Sequence, residues 1–213
     1  MGAMHVVRNI CQGVKGISVF AGDLDDTRLD ILTRIAAPLA EKNGIRYKPY
    51  NPTKEEITEA IDYTVLMAPV PDLVAASVRS TAERGLINIF AGIPAIVTGK
   101  IDLDAYIEKR LYFIGTSGST LDDMKRMLAK AAGRLDTNVS VAAVCGLAGA
   151  TEGIRAIENR SIAGKIIVYP ACKGLGLVRL EELNEKMSEV AKCLNHGLWT
   201  KAAEQKLLES FES

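Results

Sequence analysis

Asp23 is the residue whose type and position carry the most chemistry. It follows Gly16 to Phe20 (GISVF), a short apolar run with β-branched residues that reads as a strand. In dinucleotide-binding α/β folds an acidic residue stands at such a strand end and accepts hydrogen bonds from the adenosine ribose hydroxyls. The same charge repels a 2′-phosphate, so Asp23 favours NAD over NADP. Asp25 and Asp26 stand beside it, and at least one of the three acids is expected to cap the helix that follows. The usual partner of such an acid is a glycine-rich phosphate loop about 20 residues upstream. Gly2 lies 21 residues upstream, with no strand and no full G-x-G-x-x-G before it.

Ligands of open parallel sheets sit beyond the carboxyl ends of the strands. Four segments qualify: Ala21-Gly22-Asp23, Ala68-Pro69-Val70, Ala91-Gly92-Ile93 and Gly115-Thr116-Ser117-Gly118. Three contain glycine, which permits close approach of backbone to a ligand, though glycine is also ordinary loop chemistry. Metal chemistry has little material. The cysteines are Cys11, Cys145, Cys172 and Cys193, none in a C-x-x-C pair, and the histidines are His5 and His196. These counts argue against a complete Cys/His zinc site within this chain, and the cysteines read as small apolar fillers.

The elements that must position these residues alternate in period. Met4, Val7, Ile10 and Cys11 have helical spacing, closed by Gly13. After the first strand, Leu29, Leu32, Ile35, Ala36 and Leu39 make a helix that Pro38 should kink or break and Asn43-Gly44 closes. Ile45 to Pro49 is a weak strand. Thr53-Lys54-Glu55-Glu56 has capping-box spacing and predicts a short helix. Tyr63 to Ala68, Leu86 to Ala91 and Leu111 to Gly115 read as strands, with a helix from Pro71 to Arg84-Gly85 between the first two. Thr120-Leu121-Asp122-Asp123 caps another helix. The last third has an apolar run at Val141 to Val144, a short helix at Glu152 to Glu158, and a strand at Lys165 to Tyr169 stopped by Pro170. Helical stretches follow at Leu180 to Leu194 and Thr200 to Phe211, with Trp199 as a packing anchor. Strands spaced by amphipathic helices give an α/β fold, a Rossmann-like doubly wound parallel sheet, with a helical C-terminal appendage.

The chain has 213 residues, one large domain or one with an appendage. Lys and Arg total 26 and Asp and Glu total 26, so the basic excess of a general nucleic-acid binder is missing. At 48% hydrophobic and 24% charged, it has the composition of a globular protein. The longest uncharged candidate for a span, Thr137 to Thr151, falls short of the roughly 18–20 apolar residues a membrane requires. With no signal-peptide pattern, a cytoplasmic protein is expected.

Several segments together resemble zinc-type medium-chain alcohol dehydrogenases, in the branch of L-sorbose-1-phosphate reductase and related polyol dehydrogenases. Met1-Gly2-Ala3-Met4-His5-Val6 is similar to the end of a G-x-G-P-M-G-x-M-H fingerprint. Asp23-Leu24-Asp25-Asp26-Thr27-Arg28-Leu29 resembles the acidic strand end and helix start that follow it. Ile87-Asn88-Ile89-Phe90-Ala91-Gly92, Ile114-Gly115-Thr116-Ser117-Gly118, Gly133-Arg134-Leu135-Asp136-Thr137-Asn138 and Gly164-Lys165-Ile166-Ile167-Val168-Tyr169-Pro170 continue the likeness, which runs from Met1 to about Lys206.

The resemblance implies NAD(P)-linked interconversion of a secondary alcohol and a ketone, on a polyol, sugar or sugar phosphate. Zinc would polarise the substrate oxygen, but its ligands lie in a catalytic domain that precedes the nucleotide fold. The expectation is therefore a fold truncated at its N-terminus, without its first strand, and inactive as this chain alone. Carried over residue by residue, Gly2 is the third fingerprint glycine, Asp23 binds the adenosine ribose and Arg28 flanks the adenine. Ala68, Phe90, Ala91, Gly92, Gly115 and Thr116 surround the nicotinamide half. Residues 1–136 are expected to be the truncated NAD(P)-binding domain and 137–213 the C-terminal segment. A homo-oligomer is expected, since family dimers pair at the last strand of the nucleotide fold, where Tyr112 lies. The first strand is normally central in the sheet. Each buried group left unpaired without it costs about 1–3 kcal/mol, against a domain stability of about 5–15 kcal/mol. Another segment, Lys165 to Tyr169 among the candidates, an altered fold or a second chain would have to answer for it. The alternative is a non-catalytic nucleotide-binding or assembly protein derived from the same family.

Overall fold

The computed structural model describes residues 1–115, 119–131 and 137–211. In chain order the elements are α1 (Gly2–Cys11), β1 (Ser18–Gly22), α2 (Asp26–Asn43), β2 (Arg46–Tyr50), β3 (Ile61–Leu66) and α3 (Pro71–Ser80). Then come β4 (Thr81–Ile89), α4 (Leu103–Glu108), β5 (Tyr112–Gly115) and α5 (Leu121–Ala131). The last part holds β6 (Val141–Cys145), α6 (Ala150–Glu158), β7 (Lys165–Val168), β8 (Val178–Arg179), α7 (Leu183–Lys186), α8 (Ser188–Ala191) and α9 (Lys201–Glu209). Two compact units emerge. One comprises Met1, Ala3–Asn51 and Gly133–Ser213, the other Gly2 and Pro52–Ala132.

In the first unit, β1-α2-β2 is a parallel βαβ unit with Ser18 opposite Arg46 and Gly22 opposite Tyr50. Val19 and Ala21 alternate inward along β1, and α2 buries Leu29, Ala36 and Ala40. The helix runs unbroken through Pro38. A proline removes one backbone donor and crowds the preceding turn. Here the buried apolar face on both sides of Pro38 outweighs that loss. Gly44, at φ 64°, closes the helix in the left-handed conformation and donates to Ala40 and Glu41 carbonyls.

The C-terminal part of this unit has the strand order β7-β6-β8, with β6 parallel to β7 and antiparallel to β8. Lys165–Val168 thus pairs with β6. Trp199 is 3% exposed in a core with Val144, Tyr169, Cys172, Leu183 and Leu207, so its anchoring role holds. Its indole Nε1 donates to the Tyr169 hydroxyl at 3.0 Å. The expected helix from Leu180 to Leu194 is broken into short turns at Met187, whose φ of −149° leaves the helical region.

The second unit is a three-stranded parallel sheet, β3-β4-β5. Leu66, Val74, Val78, Ile87 and Leu111 form its core. Helix α3 stops at Ser80, short of the expected Arg84-Gly85, because Thr81 already pairs with Ile61. The Lys109 ammonium donates to the carbonyls of Val78, Arg79 and Thr81 and so closes this helix end. No helix forms at Thr53–Glu56, where β3 begins only five residues on, too short a stretch to sustain one. Helix α4, capped by Asp102, was not anticipated.

Candidate dinucleotide site

The turn from β1 into α2 gives each of the three acids a separate task. Asp25 is the helix cap: its Oδ1 accepts from the amides of Thr27 at 2.9 Å and Arg28 at 3.3 Å. Its Oδ2 lies 3.5 Å from Arg28 Nε. Asp26 accepts from the side-chain amide of Asn51 at 3.0 Å. Asp23, half-buried at the strand end, accepts from the Asp25 amide on Oδ1 at 3.0 Å. Its Oδ2 has no hydrogen bond among the described residues.

Strand β2 supports this turn. The Asp23 amide donates to the Tyr50 carbonyl at 3.3 Å, which extends the β1–β2 ladder by one residue. A Cβ at Gly22 would stand 2.7 Å from Tyr50 Cζ, so any larger residue there would push that ring aside. Burial pushes the Tyr50 phenol above its ordinary pKa, which keeps it neutral. Asn51 is 6% exposed, and besides Asp26 it donates to the Leu24 carbonyl at 3.0 Å. Asn51 and Tyr50 were not anticipated. Their one sequence signal is a polar residue before Pro52 at the end of a weak strand.

Gly2 opens α1, a helix with no acidic residue in its first turn and no side-chain cap. The first-turn amides of such a helix suit a phosphate. A Cβ on Gly2 would find no atom nearer than 4.0 Å, so tight packing is not what calls for glycine here.

In the second unit, Ala68, Phe90, Ala91, Gly92 and Gly115 gather at the carboxyl ends of the parallel strands. The amides of Phe90 and Ala91 both donate to the Leu66 carbonyl, at 3.1 and 2.9 Å. Val70 donates to Ala68, and Ile93 to Ala91, in tight turns. Gly92 is exposed, with open space where a Cβ would stand. Gly115 pairs with Ile89. Thr116, Ser117 and Gly118 lie outside the described residues, as do Gly133, Arg134, Leu135 and Asp136.

A separate open cleft of about 280 Å³ in the first unit is lined by Glu152, Arg155, Asn159, Arg179, Glu182 and Lys186. Two of its three cations are already paired with Glu182, at 2.8 Å from Lys186 and 4.0 Å from Arg179. Among the described residues no three His, Cys, Asp or Glu side chains gather as a metal site. No helix there is long and apolar enough to cross a membrane.

Comparison with known proteins places this geometry. No protein-family model matches the chain. It is 28% identical to the uncharacterized protein YggP of Escherichia coli K12 over 99% of its own length and 54% of that protein. The chain thus spans about half the length of the curated relative it matches. Among solved structures, 2R,3R-butanediol dehydrogenase of Bacillus subtilis superposes with a TM-score of 0.56 at 18% identity, covering 72% of this chain and 44% of that one. A short chain alcohol dehydrogenase of Escherichia coli CFT073, complexed with NADH, gives 0.57 at 12% identity over 72% and 44%. A zinc-binding dehydrogenase of Sinorhizobium meliloti 1021, bound to NADP, gives 0.53 at 17% identity over 79% and 57%. The chain therefore has the Rossmann-like α/β fold of these dehydrogenases.

Proposed function

We propose that this chain is the cofactor-binding portion of an NAD(P)-dependent dehydrogenase that interconverts a secondary alcohol and a ketone, on a polyol or sugar phosphate. The observation that carries the reading is Asp23: it stands at a parallel strand end, relieved of capping by Asp25, with one carboxylate oxygen uncommitted. Solved structures of the same fold with NADH and NADP support a dinucleotide as the ligand. When bound, the nicotinamide supplies the hydride acceptor or donor.

The chain's own residues bind and orient. Asp23 accepts the adenosine ribose hydroxyls and, by its charge, disfavours a 2′-phosphate, so NAD is preferred to NADP. Arg28 flanks the adenine. The α1 amides from Gly2 onward attract the pyrophosphate. Alcohol oxidation is not expected of the 213 residues alone.

Fluorescence titration of the purified chain with NADH tests this. Saturable binding is expected, and Asp23→Asn should weaken it about tenfold, the usual cost of losing a charge-assisted hydrogen bond. Undiminished binding by the variant, or no binding by the parent chain, would remove the reading.

A further inference from the structure

We infer that Asp25 is a specificity-determining residue for the dinucleotide, because it holds Arg28 away from a 2′-phosphate. The inference rests on the ribose assignment of Asp23 and goes beyond it. Discrimination against NADP has two parts here. Asp23 repels the phosphate, and the cation that could attract it is engaged elsewhere.

The geometry places that second part on Asp25. Arg28 is in the first turn of α2, five residues after Asp23, and in dinucleotide-binding folds an arginine near that strand end accommodates a 2′-phosphate. The Nε of Arg28 instead faces Asp25 Oδ2 at 3.5 Å, with the two side chains 42% and 49% exposed. Asp25 is fixed for the purpose, since its Oδ1 is bound to the amides of Thr27 and Arg28 at the helix N-terminus. One carboxylate therefore caps the helix with one oxygen and restrains a cation with the other. Asp26, for its part, accepts from Asn51 on Oδ1. An exposed pair of this kind is weak. Its consequence is a modest, tunable bias in cofactor choice.

Asparagine separates the two tasks. It caps helices as well as aspartate does, but it carries no charge to hold a guanidinium. Asp25→Asn should leave the melting temperature near that of the parent while releasing Arg28. The affinity ratio of NADPH to NADH, from fluorescence titrations of both, should then rise roughly threefold or more. Asp25→Asn combined with Arg28→Gln should return the ratio to the parent value. An unchanged ratio in Asp25→Asn, with NADH still bound, would overturn this inference and leave the dinucleotide reading intact. A ratio that stays raised in the double variant would also overturn it, since the gain would not belong to Arg28. If the parent binds neither nucleotide, both readings fall together.

Discussion

Asn51 shows how much of the candidate site depends on one buried amide. It bridges the end of β2 to the turn after β1, donating to the Leu24 carbonyl and to Asp26. Asn51→Ala should lower stability by about 1–3 kcal/mol, because it strands buried acceptors. It should also loosen the turn that aims Asp23, so NADH affinity should fall with it. Urea unfolding and NADH titration of the same variant check this; a variant with parental stability would mean the bridge carries no weight. The place of Asp23 at a strand end was legible in the sequence, since an acid after a β-branched apolar run is a local signal. The division of labour among Asp23, Asp25 and Asp26 was not, because three adjacent acids offer the same chemistry until a partner selects among them. That partner, Asn51, is 27 residues from Leu24 and 25 from Asp26, a separation that no local pattern records.

At the scale of elements, the contact between β7 and the C-terminal helices should be visible in alkali. Tyr169 follows β7, accepts the Trp199 indole hydrogen bond and is buried with it. Burial, with the nearby Glu204 carboxylate, raises the Tyr169 phenol from an ordinary value of 10.0 to about 12. The folded state therefore favours the neutral phenol, while the unfolded chain ionises near pH 10. The contribution is complete below pH 10 and is lost as pH rises from 10 towards 12. Tyr169→Phe should flatten that alkaline decline in melting temperature, and at neutral pH should cost about 1–3 kcal/mol by leaving the indole donor unpaired. An alkaline profile identical to the parent's would refute the assignment.

The strands were the most legible elements, because Tyr63 to Ala68, Leu86 to Ala91 and Leu111 to Gly115 are apolar runs of the length that buried parallel strands require. Helices were read less well where tertiary contacts decide. The run at Thr53–Glu56 has a start signal without length, and α4 has no buried residue to reveal it. The stretch from Leu180 to Leu194 has helical spacing but bends at Met187, which packs against the Trp199 core.

At the scale of the whole molecule, the order of strands was legible as a pattern of βαβ units, and the structure shows those units as separate sheets. Strand β1 pairs with β2, and β3 with β4; β1 and β3 have one partner strand each among the described residues. Sequence periodicity records which segments are strands. It does not record which edges meet, because that is fixed by hydrogen bonds between distant residues.

The most direct test of dinucleotide binding is NADH titrated into the isotopically labelled 22.9 kDa chain, followed by amide chemical shifts. Saturable shifts concentrated at Gly22 to Arg28 are predicted, with the Tyr169 and Trp199 signals unmoved. An unchanged spectrum, or shifts confined to the C-terminal core around Trp199, would contradict the assignment of this fold as a cofactor-binding portion.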